Sequence, residues 1–372
     1  MPRPTAHREP FGTVPGDPDT TVDLWTLDPG TGVRAEVLTY GGILHNLTVP
    51  DTEGAGASVV RSLATLDDYT GKHPYFGALV GRYANRIAHG RFTLDGTTYR
   101  IPANDRGHAL HGGPDGFHTR VWEAAAHSTA DAAVLRLTLH SPDGDMGFPG
   151  ALDVTVTYTL DTSGTLALAY TATTDRPTVV NLTHHAYFDL AADGDILGHT
   201  LEVDADAYLP VDEDGIPQGP AADVRGTPFD LTSPHVIGER IGLPDGQLRS
   251  AGGFDHCWIL RDPDPDPEPG PAPGSGPALR RAARLTAPGA TRVMEVWTTE
   301  PGIQVYTANQ LDGSFADAAG RRHERHAAVC LETQHLPDSP NRPGHPTTVL
   351  RPGETARSRT ELRFPHLAPP RP

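Results

Sequence analysis

The chain is predicted to fold as an all-β protein, a single-domain sandwich of large antiparallel sheets. Three observations predict this. Apolar and polar residues alternate with period two over many short runs, which is the signature of half-buried strands. The runs are separated by Gly/Pro/Asp turns. Long amphipathic helical stretches are absent, so the strands must bury their apolar faces on one another.

The elements follow in order. RFTLDGTTYRI reads as a hairpin, with an Asp-Gly turn between RFTL and TTYR. ALDVTVTYTL sets Val154, Val156, Tyr158 and Leu160 against Asp153, Thr155, Thr157 and Thr159, and DTSG turns it into TLALAYTAT. VVNLTHHAYFDL (Val179 to Leu190) reads as one strand. RVMEVWTTE, IQVYTAN and AAVCLETQHL are further strands, while ATLDDYTG and the stretch near HVIGERIG have room for a helical turn or two. With so many strands, large stacked sheets are expected over a small barrel. Two segments are expected to lack structure: the N-terminal tail, residues 1–16, and the acidic Pro/Gly tract at 261–277, which has no apolar residues to build a core. The tract reads as a loop insertion within one domain spanning 17–372, because β patterning resumes after it.

Composition excludes several classes. The 372 residues carry a formal charge of −17, with 47 acidic and 30 basic side chains, which disfavours nucleic acid or anionic membrane as partners. Lys72 is the only lysine, so Schiff-base chemistry is set aside. No apolar leader or membrane-length run is visible, and a cytoplasmic protein, monomer or homodimer, is the expectation. Cys257 and Cys330 lie in apolar strands and are expected as buried thiols. No G-x-S-x-G, P-loop or dinucleotide motif appears, so no nucleotide cofactor is implied.

Chemistry concentrates in a few places. On a strand, Val180, Leu182, His184, Ala186 and Phe188 share an apolar face. Asn181, Thr183, His185, Tyr187 and Asp189 share a polar one, where a ligand would be held. His185 is therefore the candidate and His184 the packing residue. The alternative is two structural histidines bonded to backbone carbonyls. In AAVCLETQHL, Glu332 alternates with Ala328, Cys330 and Gln334. A carboxylate in so apolar a run has its pKa raised by desolvation, the setting of a general base; a solvent-facing edge glutamate is the bland alternative. The small neighbours favour a groove. Asn85 and Arg86 precede the hairpin, Arg86 offering a planar fork, although a surface ion pair would explain it equally. His108 and His111 in GHALHGG, with HERH at 323–326, raise zinc, but the ligand spacing is irregular and no metal is expected. His111 before Gly112-Gly113 suits a loop where backbone approaches a ligand closely. Asp255 and Gln304 sit on strands and are unspecific alone.

Taken together, PYFGALVGRYANRIAHGRFTLDG, LHGGPDGFHTRVWE, SPDGDMGFPGALDVTVTYTL, VNLTHHAYFDL, DADAYLPVDEDGIPQG, FDHCWIL, TTEPGIQVYTAN and VCLETQHLPDSPNRPGHPTTVLRPGE resemble the aldose 1-epimerase (galactose mutarotase) family in the same order, from about Thr21 to Phe364. The resemblance implies a galactose mutarotase-like supersandwich that interconverts α and β anomers of free aldohexoses such as galactose and glucose, without a cofactor. It implies Glu332 as general base on the anomeric hydroxyl and His185 as general acid at the ring oxygen. Arg86, His111 and Asp255 would contact the sugar, and Asn85 and Gln304 match further binding positions. His184 stands where the family usually has Asn, Met146 where an acid is common and Cys257 where Asn is frequent. The mechanism so implied starts with Glu332 ionised and His185 protonated, on opposite sides of the sugar. Rival readings are a phosphosugar epimerase using arginines such as Arg82 and Arg106, a glycoside hydrolase using Asp255 and Glu332, and a sugar-binding protein without turnover.

Overall fold

The computed structural model describes residues 3–192, 194–262 and 278–365. Three antiparallel sheets dominate them. A nine-stranded sheet runs, in spatial order, Glu123–Ser128, Ala132–Ser141, Leu152–Asp161, Leu166–Thr174, Ala356–Arg363, Val293–Thr298, Arg280–Thr286, Thr200–Val203 and His235–Val236. A six-stranded sheet runs Tyr187–Phe188, Val329–Gln334, Gly302–Tyr306, Asp255–Leu260, Ala205–Leu209 and Ala222–Asp223. A five-stranded meander covers Thr5 to Ser58.

Alternation explains where the core lies. Val154, Val156, Tyr158 and Leu160 of the large sheet point into one main cluster with Trp258, Ile303, Val305, Val329 and Leu331 of the six-stranded sheet and Leu27, Val37 and Leu47 of the meander. The central strands Gly302–Tyr306 and Val329–Gln334 of the six-stranded sheet are buried on both faces. One face packs in that core. The other presents Asp255, Cys257, Gln304, Tyr306, Cys330 and Glu332, which face the site. The Asp95-Gly96 hairpin forms as expected, both residues at positive φ, and helical turns occur at Leu66–Thr70 and Ile237–Ile241.

Two expectations need correction, and one lies largely outside the described residues. Residues 1–16 are not a structureless tail, because Thr5–Thr13 is an edge strand paired with Thr21–Asp28. Its side chains are mostly exposed. Backbone pairing, and not a buried face, holds it, so composition could not reveal it; Pro10 sits at its bulge, where a missing N–H costs least. The acidic tract at 261–277 falls, from 263 onward, outside the described residues. VVNLTHHAYFDL is not one strand. Its pieces pair separately, Thr178–Val179 with Val349–Leu350, Thr183–His184 with Leu79–Val80, and Tyr187–Phe188 with Val329–Cys330. Its alternation nevertheless holds, with Val180, Leu182, Ala186 and Phe188 in the main core. Both cysteines are buried free thiols.

Candidate active site

Glu332 lies near the middle of its strand, directly opposite Gln304 in register. It is 2% exposed. His185 enters from the segment leading into the Tyr187–Phe188 strand, and its Nε2 stands 3.7 Å from Glu332 Oε1. Of the five residues assigned to the polar face, His185 alone turns a titrating side chain to this centre, and Tyr187 packs its ring against it. Asn181 bonds to the carbonyls of Ala84 and His335, Thr183 donates to Thr333, Tyr187 donates to Pro74, and Asp189 pairs with the Arg61 guanidinium. Short polar side chains satisfy local backbone wherever a broken strand leaves carbonyls unpaired.

The Asn85–Arg86 and His111 segments are latched together. The Asn85 N–H donates to His111 Nδ1 at 3.2 Å, and the His111 N–H donates to the Asn85 carbonyl at 3.2 Å. Because His111 Nδ1 accepts, the ring proton sits on Nε2 and is free to donate. Asn85 (φ 62°) and His111 (φ 53°) both hold left-handed backbone. Gly112 meets the backbone of another segment, a contact its sequence context did not suggest. A Cβ there would stand 2.1 Å from the Gly81 carbonyl oxygen, so the glycine serves chain-to-chain approach. Arg86 donates from Nε to Asp105 at 2.9 Å. Gln304 Nε2 donates to Asp255 Oδ1 at 2.7 Å. All seven candidate residues thus gather around one centre, from three sheet strands and three connecting segments.

Electrostatics is set by burial. Desolvation, then Asp255, drives the Glu332 carboxyl well above its usual range, with Arg86 opposing. Desolvation pulls His185 down to about 4, opposed by its own backbone carbonyl and Asp255 and reinforced by His73. His111 is driven well below its usual value by burial, then by His185, Arg86 and His118, and is neutral. Three buried atoms, His185 Nδ1, Gln304 Oε1 and Glu332 Oε2, have no hydrogen-bonding partner. Orphans are costly, and clustered at one centre they mark a place for a polar ligand.

Metal deserves a geometric answer. His111, His185 and Glu332 each offer one ligand atom within 4.8 Å of the others. With its Nδ1 occupied, His111 presents a proton and not a lone pair to the centre, so the set suits proton handling better than coordination. The sequence-level zinc candidates are also otherwise engaged. His108 Nδ1 accepts the His89 N–H, His323 Nε2 bonds to the Ser62 carbonyl, and His326 Nδ1 to the Thr307 carbonyl.

Sequence reasoning missed the aromatic wall. Tyr75, Tyr187 and Tyr306 surround His185, and His118 packs on Tyr75. Asp105, the partner of Arg86, was also unmarked. The PYFG block containing Tyr75 stood beside GRYANR in the sequence, but aromatic residues in a β protein signal core first.

A β-supersandwich with a buried carboxyl–imidazole pair ringed by polar side chains is an arrangement suited to acid–base chemistry on a polar ligand. The family model described as aldose 1-epimerase matches residues 23–363. Galactose mutarotase from Rattus norvegicus is 41% identical over 334 residues, 89% of this chain and 91% of that protein, and aldose 1-epimerase from Escherichia coli K12 is 37% identical over 92% and 94%. A solved galactose 1-epimerase from Lactobacillus acidophilus superposes with a TM-score of 0.82 at 26% identity, covering 97% of this chain and 98% of that one. This chain belongs to the aldose 1-epimerase family.

Proposed function

We propose that the protein is an aldose 1-epimerase acting on free aldohexoses, galactose and glucose among them, with Glu332 and His185 as the proton-transfer pair. The observation that carries this is their 3.7 Å separation inside a buried centre. The anomeric hydroxyl O1 and ring oxygen O5 are bonded to the same carbon, so two groups this close reach both oxygens at once. They need not flank the sugar from opposite sides.

The steps balance without a cofactor. Glu332 takes the proton from O1 as C1=O1 forms. The C1–O5 bond breaks, its electron pair goes to O5, and His185 supplies a proton there. Rotation about C1–C2 turns the aldehyde, and reclosure on the other face returns each proton. Groups positioned in this way contribute roughly 10²–10⁴-fold each. The pair needs one proton in total. Burial favours the uncharged arrangement in the free protein, with the proton on the carboxyl; Arg86 favours the carboxylate, while Asp255 favours the imidazolium but opposes the carboxylate. The ionised carboxylate and imidazolium that these steps use are one proton transfer away from the neutral pair and hold the same proton. Arg86, His111 and Asp255, with Asn85 and Gln304, would hold the open chain so that it recloses.

A 6-phosphate is not favoured. Arg82 is buried and donates to the Ser141, Pro142, Pro149 and Gly150 carbonyls, and Arg106 is tied to Asp105 and the Glu213 carbonyl. No helix among the described residues is long and apolar enough to cross a membrane. We read the location as cytoplasmic. Polarimetry of freshly dissolved α-galactose tests the function. The wild type is expected to accelerate the approach to anomeric equilibrium; a rate equal to buffer, with the fold intact, overturns the reading.

A further inference from the structure

We infer that Tyr75 is a positioning residue, one half of an aromatic clamp with Tyr187 that holds the imidazole of His185 and stabilises its protonated form. The inference rests on the acid–base reading of Glu332 and His185. General bases are commonly oriented by a third group hydrogen-bonded to the far ring nitrogen. Here His185 Nδ1 is buried and makes no hydrogen bond to another residue, with only the ring's own backbone carbonyl beside it. Something else must fix the ring.

Two tyrosine rings lie nearly parallel to it. Tyr75 is 5.7 Å away, centroid to centroid, at 28°, and Tyr187 is 5.1 Å away at 25°. Tyr75 also meets the His111 ring edge-on at 4.6 Å, so one side chain packs on both imidazoles of the centre. The arrangement is built into the backbone. The Gly77 N–H donates to the His185 carbonyl at 3.0 Å, and the His185 N–H donates to the Ala78 carbonyl at 2.9 Å. The Tyr187 hydroxyl donates to the Pro74 carbonyl at 2.8 Å, tying one ring of the clamp to the loop that bears the other. Tyr75 itself sits at φ 62°, a conformation that a bulky residue adopts only when its surroundings impose it. Its ring is part-exposed, whereas Tyr187 is buried, so Tyr75 is the half of the clamp that can be altered without opening the core.

The chemical consequence follows from the ring faces. A cation within about 6 Å of an aromatic face is attracted by its quadrupole, more strongly where water is excluded. Burial opposes the imidazolium on which proton delivery to O5 depends. The tyrosine faces offset part of that cost while fixing the direction of Nε2 toward Glu332.

The test compares Tyr75→Leu with Tyr75→Phe. Both replacements keep an unbranched Cβ at the same backbone angle, so strain is matched. Tyr75→Leu is expected to lower kcat for α-galactose roughly 10- to 100-fold, with KM and the thermal midpoint little changed. Tyr75→Phe, which keeps the ring, is expected to recover most of that rate. The ¹⁵N–¹H resonances of the His185 ring, read without substrate, should broaden or shift in Tyr75→Leu and return in Tyr75→Phe. Wild-type kcat together with unperturbed His185 resonances in Tyr75→Leu overturns the clamp. Equal impairment of the two variants overturns it as well, since the hydroxyl and not the ring would then matter. Should the wild type fail to mutarotate any aldose while the resonances respond as described, the clamp stands and the functional reading falls.

Discussion

Glu332 and His185 matter because each is buried where its charged form is penalised. In the proposed mechanism Glu332→Gln removes the proton acceptor without changing size, and His185→Asn removes the donor. Each is expected to lower kcat by at least about 10³-fold by polarimetry, with an unchanged circular dichroism spectrum. Near-wild-type rates in either would sink the assignment. The pH dependence follows from the proton count. The pair works with one proton, so activity should persist well below neutrality. It should fall only as His185 gains a second proton, near pH 4 in the free enzyme. His184 sharpens this. It is held neutral, with its pKa pulled to about 3 by burial and then by His185, below the value of His185 itself. It carries no charge while His185 titrates. His184→Asn should therefore leave the acid limb of the kcat/KM profile in place, and a shift of a full unit would show that the two rings are coupled. Alternation put His185 on the polar face, and its Nε2 stands 3.7 Å from Glu332, yet the other four residues of that face bind protein.

At the scale of elements, the six-stranded sheet positions the centre because alternation sends Val305 and Leu331 into the core and Gln304 and Glu332 to the other side. Such a pattern is legible in IQVY and VCLET. The edge strand Thr5–Thr13 was not legible, since an edge held by backbone bonds leaves no apolar periodicity. Nor was the use of Gly112. Gly112→Ala forces a Cβ against the Gly81 carbonyl at φ +86° and pushes on the turn that latches His111 to Asn85. A loss on the order of 3 kcal/mol in urea-unfolding free energy is expected, together with weaker galactose binding. Wild-type stability in this variant would mean the two backbones part easily, contrary to the packing described.

The whole molecule carries a set of buried, neutral histidines whose pKa values lie below the ordinary 6.5: His73 and His185 at about 4, and His118, His184 and His256 at about 3, each chiefly through desolvation. The unfolded chain binds protons at these rings from about pH 6.5 downward and the folded chain does not. Stability is thus fully present above about pH 6.5 and is lost as pH falls toward 4, by up to ~1.4 kcal/mol per pH unit for each ring. His335, raised by its ion pair with Glu300 at 2.6 Å, works in the opposite sense but is outnumbered by these five and by His111. Thermal midpoints measured from pH 7 to 4.5 should drop steeply, and a flat profile would refute the buried neutral state. By itself the sequence determined the strand-rich class, the alternation that buries one face of each strand, and the family blocks that bring Glu332, His185 and their five companions to notice. These are local or compositional properties, readable wherever a side chain's direction follows from its neighbours in the chain. Tertiary structure alone decided that His185 and Glu332 stand 3.7 Å apart and that Tyr75 packs on two imidazoles. Those depend on contacts between segments distant in the chain, which no local pattern encodes.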